Sequence, residues 1–321
     1  MSDYKSIKGH TIQKIAGDPG TIADGLIWYD STAKKIQGSK TAAGAWATNG
    51  DINQGRYSGG SATEAPGTAG LIFGGDSPEY DNTETYDGST WTEVNDLNTG
   101  RGNFAGAGTQ TAALASGGSA SPQGQSEEFD GTNWAEGNDL NTARAGLTGN
   151  GPQTASLSTG GKIGENFQTI NELYDGTSWS ESGDLNTARA YHSTTGDSTA
   201  GLAAGGSSPY TVDSEEFNGT SWTEGNNLNV AKAYIRSGFG TQTASLVCGG
   251  YSPSGTFATT EQYDGTSWTE VGDLPTATRD HFGSGSSTAG LANGGRSAPG
   301  STLTEGYEWL HASSAVTFTS S

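Results

Sequence analysis

The chain has 321 residues, with 35 acidic against 15 basic side chains and a formal net charge of −20 at pH 7. A surface this acidic repels phosphate backbones and anionic lipid, so we expect no binding to nucleic acid or to a membrane surface. Glycine is abundant, at 52 residues, but 8 tryptophans and 12 tyrosines argue against a disordered chain, because disordered segments are poor in aromatics.

Three further absences in the sequence narrow the class of protein. The first twenty residues lack the apolar core of a signal peptide, and no stretch approaches the roughly 18 apolar residues of a membrane-spanning helix. The single cysteine, Cys248, excludes an internal disulfide. We therefore expect synthesis in the cytosol and no membrane insertion.

Residues 1–44 carry no repeat and begin with a short basic arm that contains Lys5, Lys8 and Lys14. On an acidic protein such an arm favours docking onto an acidic partner surface, and the alternative is a disordered leader with extra strands on the closing blade. The segments "LIWYDS" and "KKIQG" predict a hairpin. We expect 1–44 to form an arm and hairpin that anchor the protein.

A unit of 43 to 45 residues recurs six times in the following sequence. Each unit has a small-residue run that ends in Gly-Gly and then an aromatic; in all but the last, an Asp-Gly turn (Asn218-Gly219 in one unit) and a tryptophan five residues after the aromatic follow. Ten residues further on, after a segment such as "DLNT", stands a base. The tryptophans are Trp46, Trp91, Trp134, Trp179, Trp222 and Trp268; the bases are Arg56, Arg101, Arg144, Arg189 and Lys232, with Arg279 at eleven.

The unit predicts four short strands. The run before Gly-Gly is expected to be an inner strand, the aromatic and Trp strands to be joined by a tight type I′ turn, and a fourth strand to follow the base. Four strands at this period are typical of a propeller blade, whereas leucine-rich repeats recur about every 20 to 29 residues and helical repeats would show apolar faces at a 3.6-residue period. The sixth unit, with Tyr307 as its aromatic, lacks a Trp and base, which residues 45–60 supply.

The sequence therefore predicts an all-β, six-bladed propeller over residues 45–310, in which residues 45–60 complete the last blade. Such closure removes exposed sheet edges. Residues 311–321 are expected to be a C-terminal strand or tail.

In order and spacing, Gly-Gly, Tyr-Asp, Trp and the Arg after "DL-T" resemble the kelch-repeat propeller family over about residues 45–310. The chain is richer in Gly, Ser and Thr than typical kelch repeats. It is still more similar to kelch-like propeller proteins of tailed, especially marine, bacteriophages, where "DGLIWYDSTAKKIQG" and "AWATNGDINQGRY" lead into arrays of "TAGL-GG" and "YDGTSW". The resemblance implies a virion structural protein of the tail-fibre or appendage type.

Candidate chemistry is sparse. The Asp-Gly turns lack the residue that separates Asp from Gly in sialidase Asp-boxes. A sialidase also needs three arginines around the substrate carboxylate, and only two arginines, Arg236 and Arg296, lie outside the repeat positions. Sialidase chemistry is therefore excluded. Cys248 occupies the position before Gly-Gly and is interpreted as a small strand residue. The histidines show no metal-ligand spacing. Pairs of acidic residues could bind a calcium ion, but the interpretation as solvent-exposed acids is favoured. We expect no catalytic residue, no metal site and no cofactor.

The segments after each Gly-Gly differ in length and composition, while the strands stay constant. Constant strands with diverse loops are a common arrangement for binding, and neutral drift in the loops is the alternative. The candidate binding residues are the aromatics of these loops: Tyr80, Phe167, Tyr210, Tyr251 and Phe257.

The prediction is a non-enzymatic virion protein. Its arm is expected to bind other virion proteins, and its propeller loops to bind a host-surface glycan or protein, or neighbouring virion subunits; homo-oligomerisation is left open. Two alternatives remain. One is a carbohydrate-active propeller, such as a polysaccharide depolymerase, because the acids could supply a carboxylate pair. The other is a non-viral kelch-type interaction module.

Overall fold

A computed structural model describes residues 13–15, 27–32, 34–41, 44–76, 80–118, 124–207, 209–236, 238–298, 300–311 and 313–317. The chain divides into two compact units, one formed by 1–44 with 311–321 and the other by Ala45–Leu310. The described residues form strands, turns and loops, and among them is no helix long and apolar enough to cross a membrane.

Six four-stranded antiparallel sheets make up the unit Ala45–Leu310 and are called blades 1 to 6. Their innermost strands contact one another in a closed circle, as in a six-bladed propeller. From the axis outward, the strands of blades 1 to 3 are Gly60–Ser61, Leu71–Gly75, Tyr80–Tyr86, Trp91–Val94; Ala105–Thr109, Ala112–Ser116, Ser126–Phe129, Trp134–Glu136; and Thr148–Asn150, Leu157–Thr159, Asn171–Tyr174, Trp179–Glu181.

In the same order, blades 4 to 6 are Ser193–Gly196, Gly201–Ala204, Ser214–Phe217, Trp222–Glu224; Phe239–Thr241, Ala244–Cys248, Thr260–Tyr263, Trp268–Glu270; and Phe282–Ser286, Ala289–Asn293, Gly306–Leu310, Ala45–Thr48. Two short hairpins extend the loops of blades 3 and 5. They pair Lys162–Ile163 with Asn166–Phe167 and Tyr251–Ser252 with Gly255–Thr256.

The order of the strands differs from the prediction in one respect. The strand after each base is the innermost strand of the next blade, and the run before Gly-Gly is the second strand. The reason is the crowding at the axis: a Cβ on Gly106 would lie 2.5 Å from the backbone nitrogen of Ser61 in the neighbouring blade. The axis therefore takes the segment with the least side-chain volume.

The predicted closure of the last blade is confirmed. Ala45–Thr48 is the outermost strand of blade 6 and pairs antiparallel with Gly306–Leu310. The register places Trp46 opposite Trp309. Trp309, and not Tyr307 as the sequence spacing indicated, is therefore the partner aromatic of this blade.

In every blade the tryptophan of the outermost strand packs on an aromatic of the third strand, with ring centroids 4.9 to 5.3 Å apart. Some indoles also bind the preceding blade: Trp134 Nε1 donates to Thr83 Oγ1 over 3.0 Å and Trp179 Nε1 to Ser126 Oγ over 3.1 Å. Trp46, which is half-buried, donates to Thr260 Oγ1 over 2.9 Å. The tryptophans thus join adjacent blades.

Five repeat bases form buried ion pairs, which we call clamps, with a glutamate on the third strand of the blade that follows. The pairs are Arg56–Glu84, Arg101–Glu127, Arg144–Glu172, Arg189–Glu215 and Lys232–Glu261, and none of these side chains is more than 3% exposed. A clamp fixes the loop from one blade onto the next, because its glutamate also accepts from backbone N–H groups of that loop.

Blade 6 lacks a clamp, and the prediction that Arg279 is a repeat base is wrong. Thr278 stands at the clamp position, ten residues after Trp268, and is buried, whereas Arg279 is half-buried. Tyr307 stands where the other blades have the glutamate and donates through its hydroxyl to Thr276 Oγ1 over 2.9 Å. With no carboxylate at that position, a guanidinium there would be a buried unpaired charge.

The Asp-Gly turns also differ from the predicted type I′ geometry. In blade 5 the loop between Tyr263 and Trp268 has four residues, and of these only Gly265 has a positive φ, of 88°. The carboxylate of Asp264 accepts from the backbone nitrogens of Thr266 and Ser267 over 2.9 and 2.7 Å, which holds the turn. Blade 4 uses Asn218 in the same way.

The other unit contains a four-stranded sheet. Its strands are Gln13–Ile15, Ile27–Asp30, Lys35–Thr41 and Ser313–Thr317, in that order across the sheet. Ile27–Asp30 and Lys35–Thr41 form a hairpin, and the C-terminal strand pairs with the second of these. Of the predicted basic arm, Lys14 lies in the strand Gln13–Ile15, and residues 1–12 with Lys5 and Lys8 lie outside the described residues.

Candidate binding face

Six backbone hydrogen bonds form a closed circle at the start of the innermost strands, called the hydrogen-bond ring. Each ring residue stands two positions after a clamp position and donates its N–H to the carbonyl of the ring residue before it, over 2.7 to 2.9 Å. The ring residues are Ser58, Asn103, Gly146, Tyr191, Tyr234 and Asp280. Because these N–H groups are used within the ring, they are not free to donate to a ligand.

Every ring residue has a left-handed backbone, with φ between 55° and 68°. This conformation costs about 1–2 kcal/mol for a residue with a Cβ, and glycine avoids most of that cost. Blade 3 uses Gly146, but blades 4 and 5 hold Tyr191 and Tyr234. Strained residues of this kind concentrate at functional sites, so the two tyrosines mark this end of the propeller as a candidate.

Two further repeat positions surround the ring: the residue after each clamp position and the first residue after Gly-Gly. They pair with each other across isolated bridges, including Ala233 with Tyr251 and Arg279 with Arg296. Together with the ring, and with Tyr210 and Arg236, which contact Tyr251 and Asn103, they form a surface that we call the binding face. Its functional side chains are Tyr57, Asp76, Asn103, Lys162, Tyr191, Tyr210, Tyr234, Arg236, Tyr251, Arg279, Asp280 and Arg296.

Four tyrosines of the binding face form a continuous aromatic path. Tyr191 stacks on Tyr234 with ring centroids 4.6 Å apart. Tyr251 meets both Tyr234 and Tyr210 edge-on at 6.1 Å. All four rings are half-buried, so each is held in place and still has an accessible part. Burial, with Tyr191 next, raises the pKa of Tyr234 to about 12, so this phenol is neutral at physiological pH.

Cations lie over this path. The Arg279 guanidinium is 4.2 Å from the ring centroid of Tyr251 and 5.9 Å from that of Tyr234, and Lys162 Nζ is 5.8 Å from that of Tyr191. Such cation–π contacts fix the orientation of a side chain without using its hydrogen-bond donors. Among the described residues, no carboxylate pairs with Arg279 or Lys162.

Arg296 and Asp280 form the ion pair of the binding face. Arg296 Nη2 donates to Asp280 Oδ2 over 2.8 Å, and its guanidinium lies 4.1 Å from the ring centroid of Tyr57. Burial alone would lower the pKa of Arg296, but the neighbouring Asp280 carboxylate leaves it raised. Asp280 is 1% exposed, and its Oδ1 has no hydrogen-bond partner among the described residues.

Arg236 reaches across the hydrogen-bond ring. Its guanidinium donates to Asn103 Oδ1 over 3.1 Å, to the Phe104 carbonyl over 2.7 Å and to the Leu147 carbonyl over 3.1 Å. These acceptors belong to the loops before blades 2 and 3, whereas Arg236 precedes the innermost strand of blade 5. Burial lowers the pKa of Arg236. The side chain therefore ties opposite sides of the propeller together.

The distribution of bases singles out this surface. Residues 45–310 contain nine lysines and arginines, of which five form the clamps. The other four are Lys162, Arg236, Arg279 and Arg296, and all of them lie at the binding face. A propeller within a chain of net charge −20 thus gathers every base that is not in a clamp around one end of its axis.

The structure brings together two of the five loop aromatics that the sequence singled out, Tyr210 and Tyr251. Tyr80 begins the third strand of blade 1, Phe167 lies in the hairpin of blade 3 and Phe257 lies in the loop of blade 5. All three are half-buried, and no ring contact among the described residues joins them to that pair. Sequence reasoning missed Tyr191 and Tyr234, together with Lys162 and the role of Arg279. Their signal is positional: they stand at fixed distances after the base or Gly-Gly, at positions where the units differ.

The other end of the innermost strands has a cavity of about 440 Å³. Glu64 and Asp197 line it, together with Gln242. Burial, with Asp197 as a second cause, raises the pKa of Glu64. Burial would also raise the pKa of Asp197, but hydrogen bonds from Thr199 and Ala200 lower it overall. The pKa values of the two carboxyl groups are therefore shifted in opposite directions.

The remaining candidate chemistry has a structural account. Cys248 lies buried on the second strand of blade 5, with its Sγ 3.2 Å from His281 Nε2, and burial raises the pKa of the thiol to about 12. His192 bonds to Thr148 Oγ1 over 2.9 Å. Among the described residues, no group of three or more His, Cys, Asp or Glu side chains is placed to hold a metal ion.

No family model matches the chain, and no curated protein matches it. Among solved structures, the chain is similar to the one titled "Structure of YjhT", with a TM-score of 0.66 and 13% sequence identity over 82% of this chain and 98% of that chain. At this identity the similarity shows the fold alone. It supports the assignment of a propeller.

Proposed function

We propose that the protein is a non-enzymatic binding propeller of a virion, of the tail-fibre or appendage type. Its N-terminal unit attaches it to other virion proteins, and its binding face contacts the host surface. The observation that carries the binding role is the concentration of half-buried tyrosines and unpaired cations around the hydrogen-bond ring. The virion assignment rests on the resemblance of the lead segments and the repeat to phage propeller proteins.

The backbone strain at Tyr191 and Tyr234 supports the binding role. A propeller of this sequence accepts glycine at a ring position, as Gly146 shows, yet Tyr191 and Tyr234 hold strained backbones. Stability alone would favour relief of that strain. A requirement for side chains at these positions explains why it persists.

The first test localises the protein on particles. Gold-labelled antibody against residues 60–300 is applied to virions of the virus that encodes the chain. Label at the tail or its fibres supports host contact, and label over the head assigns a decoration role instead. Particles that never carry label would overturn the virion assignment.

The second test addresses the face directly. Purified protein is labelled and its binding to host cells is compared with that of Tyr251→Ala and of Phe257→Ala, a half-buried loop aromatic outside the aromatic path. We expect Tyr251→Ala to lose binding and Phe257→Ala to retain it. Equal binding by wild type and Tyr251→Ala would refute the assignment of the binding face.

A carbohydrate-active propeller is the second candidate, and one observation favours it. Glu64, with a raised pKa, and Asp197, with a lowered one, line the same cavity, and two carboxylates that titrate apart are what glycoside hydrolysis uses. Host capsule is incubated with wild type and with Glu64→Gln. New reducing ends that depend on Glu64 would establish this activity; their absence leaves the non-enzymatic proposal in place.

A further inference from the structure

We propose that the ligand of the binding face is an acidic saccharide, a chain whose carboxylates are separated by neutral sugars. Arg279, Lys162 and Arg296 bind its carboxylates, and the tyrosines of the aromatic path pack on its sugar rings. This inference rests on the proposed binding role and adds the chemistry of the ligand. It follows from the charges, the free donors and the shape of the face.

The charges favour an anion. Among the described residues, Arg279 and Lys162 have no carboxylate partner, and the carboxylates that adjoin the ring are Asp76 and Asp280. Arg236 and Arg296 add two more cations, so the face carries four bases against these two acids. An unpaired cation that is half-buried is poorly hydrated, and an incoming carboxylate would replace the missing partner.

The donors are positioned in advance. Tyr251 and Tyr234 hold the Arg279 guanidinium at 4.2 and 5.9 Å, yet no acceptor among the described residues bonds to it, and its Nε is buried without a partner. A guanidinium with a fixed plane and open donors matches the geometry of a carboxylate. Little side-chain entropy is lost on binding, because the tyrosines already restrict the arginine.

The aromatic path favours a saccharide as the carrier of the carboxylates. Tyrosines offer apolar faces on which sugar rings pack and hydroxyls that bond to sugar hydroxyls. Burial raises the pKa of Tyr210, and that of Tyr234 is about 12, so these phenols stay neutral and do not repel an anion. The extended path from Tyr191 to Tyr210 suits a chain of sugars better than a single small molecule.

The negative net charge of the protein favours a ligand whose anionic groups are widely spaced. A nucleic-acid duplex carries one charge per about 1.7 Å, and the acidic remainder of the protein repels so dense a polyanion. Repulsion beyond about 8 Å is screened at physiological salt, so isolated carboxylates on a saccharide reach the local cations. This argument separates the proposed ligand from nucleic acid, although both are anionic.

The test uses a hyaluronan octasaccharide as the probe, since its glucuronates alternate with neutral sugars. The control ligand is the same octasaccharide with each carboxylate reduced to an alcohol. Full-length protein is titrated with both by calorimetry at low and at physiological salt. We expect the acid to bind about tenfold or more tightly than the reduced form, the effect of one charge-assisted hydrogen bond, and its affinity to fall with salt.

The variant Arg279→Met removes the charge and keeps an apolar side chain on Tyr251. It should lose the preference for the acid, so that the acid and the reduced form bind with equal affinity. Thr269→Glu, at an exposed position of the outermost strand of blade 5, makes the same change in net charge away from the face and should retain the preference. Lys162→Met repeats the test at a second cation if Arg279→Met does not fold.

The outcomes separate the ligand from the function. If acid and reduced forms bind equally, or if neither binds while Tyr251→Ala still loses host-cell binding, the acidic saccharide is overturned and the binding role stands. Loss of host-cell binding after protease treatment of the cells would point to a protein partner and also overturn the saccharide. If Tyr251→Ala and Arg279→Met change neither titration nor cell binding, both proposals fail.

Discussion

The clamp of blade 3 gives a sharp test of what holds the propeller together. Glu172 and Arg144 are both fully buried. One carboxylate oxygen of Glu172 accepts from Asn141 N over 2.7 Å and from Asn141 Nδ2 over 3.0 Å. The other accepts from Arg144 Nη1 and from Thr142 N. Each oxygen therefore faces two donors, and Glu172→Gln, with its amide in either orientation, must turn an NH₂ towards one of these donor pairs.

The expected loss is large because Arg144 stays buried without a counter-charge. Removal of one partner of a buried ion pair costs about 3–5 kcal/mol, a substantial part of the 5–15 kcal/mol that typically stabilises a domain. Burial already lowers the pKa of Arg144 even with Glu172 beside it.

The assay is urea denaturation, followed by tryptophan fluorescence, with the midpoint and slope compared between variants. Glu181→Gln is the matched control, because Glu181 lies opposite Glu172 on the outermost strand but is exposed. We expect it to change the free energy of unfolding by less than about 0.5 kcal/mol. A Glu172→Gln protein within about 1 kcal/mol of wild type would refute the account of the clamp as a buried, mutually dependent pair.

Three further outcomes are expected. Trp222→Ala should cost about 3–5 kcal/mol in urea, and Trp46→Ala less, because Trp46 is already half-exposed; an unchanged midpoint for Trp46→Ala would contradict the closure by this strand. Backbone N–H groups of Ser267 and Thr266 lower the pKa of Asp264, so its contribution to stability is present above the ordinary carboxylate pKa and lost as pH falls through the lowered value. Asp264→Asn, which copies the turn of Asn218, should therefore lose less stability than wild type on acidification from about pH 5, and identical pH profiles would refute this. Arg236→Ala leaves two carbonyls and an amide oxygen unbonded and should cost about 1–3 kcal/mol, so an unchanged midpoint would show that this side chain does not tie the loops.

The repeat made the fold readable from the sequence, because six copies of one spacing leave a propeller as the natural architecture. The order of strands within a blade was not readable, since the two inner strands are both rich in small residues. The same regularity misled at blade 6. Arg279, eleven residues after Trp268, was interpreted as the repeat base although the other units have the base at ten residues. In the structure the spacing of ten is kept, and Thr278 occupies the clamp position.

The binding face was harder to predict for a different reason. Tyr191 and Tyr234 stack on each other but lie in different units of the sequence, and nothing local marks either of them. Their convergence depends on which residue of the repeat lies at the axis, and that follows from the strand order that the sequence left open. Tyr251 was found because it stands in a variable loop, where diversity is visible by eye.

The two ends of the propeller have a mechanical consequence. Ala45 and Leu310, its first and last residues, are paired opposite each other in blade 6, so a pull on these residues in opposite directions would unzip the blade one pair at a time. The chain does not leave them apart, however: Thr41 and Ser313 are paired again in the sheet of the N-terminal unit. Along the sequence, the two strands of that sheet therefore connect directly to the two strands of blade 6, and a load on the sheet acts on Ala45 and Leu310 together.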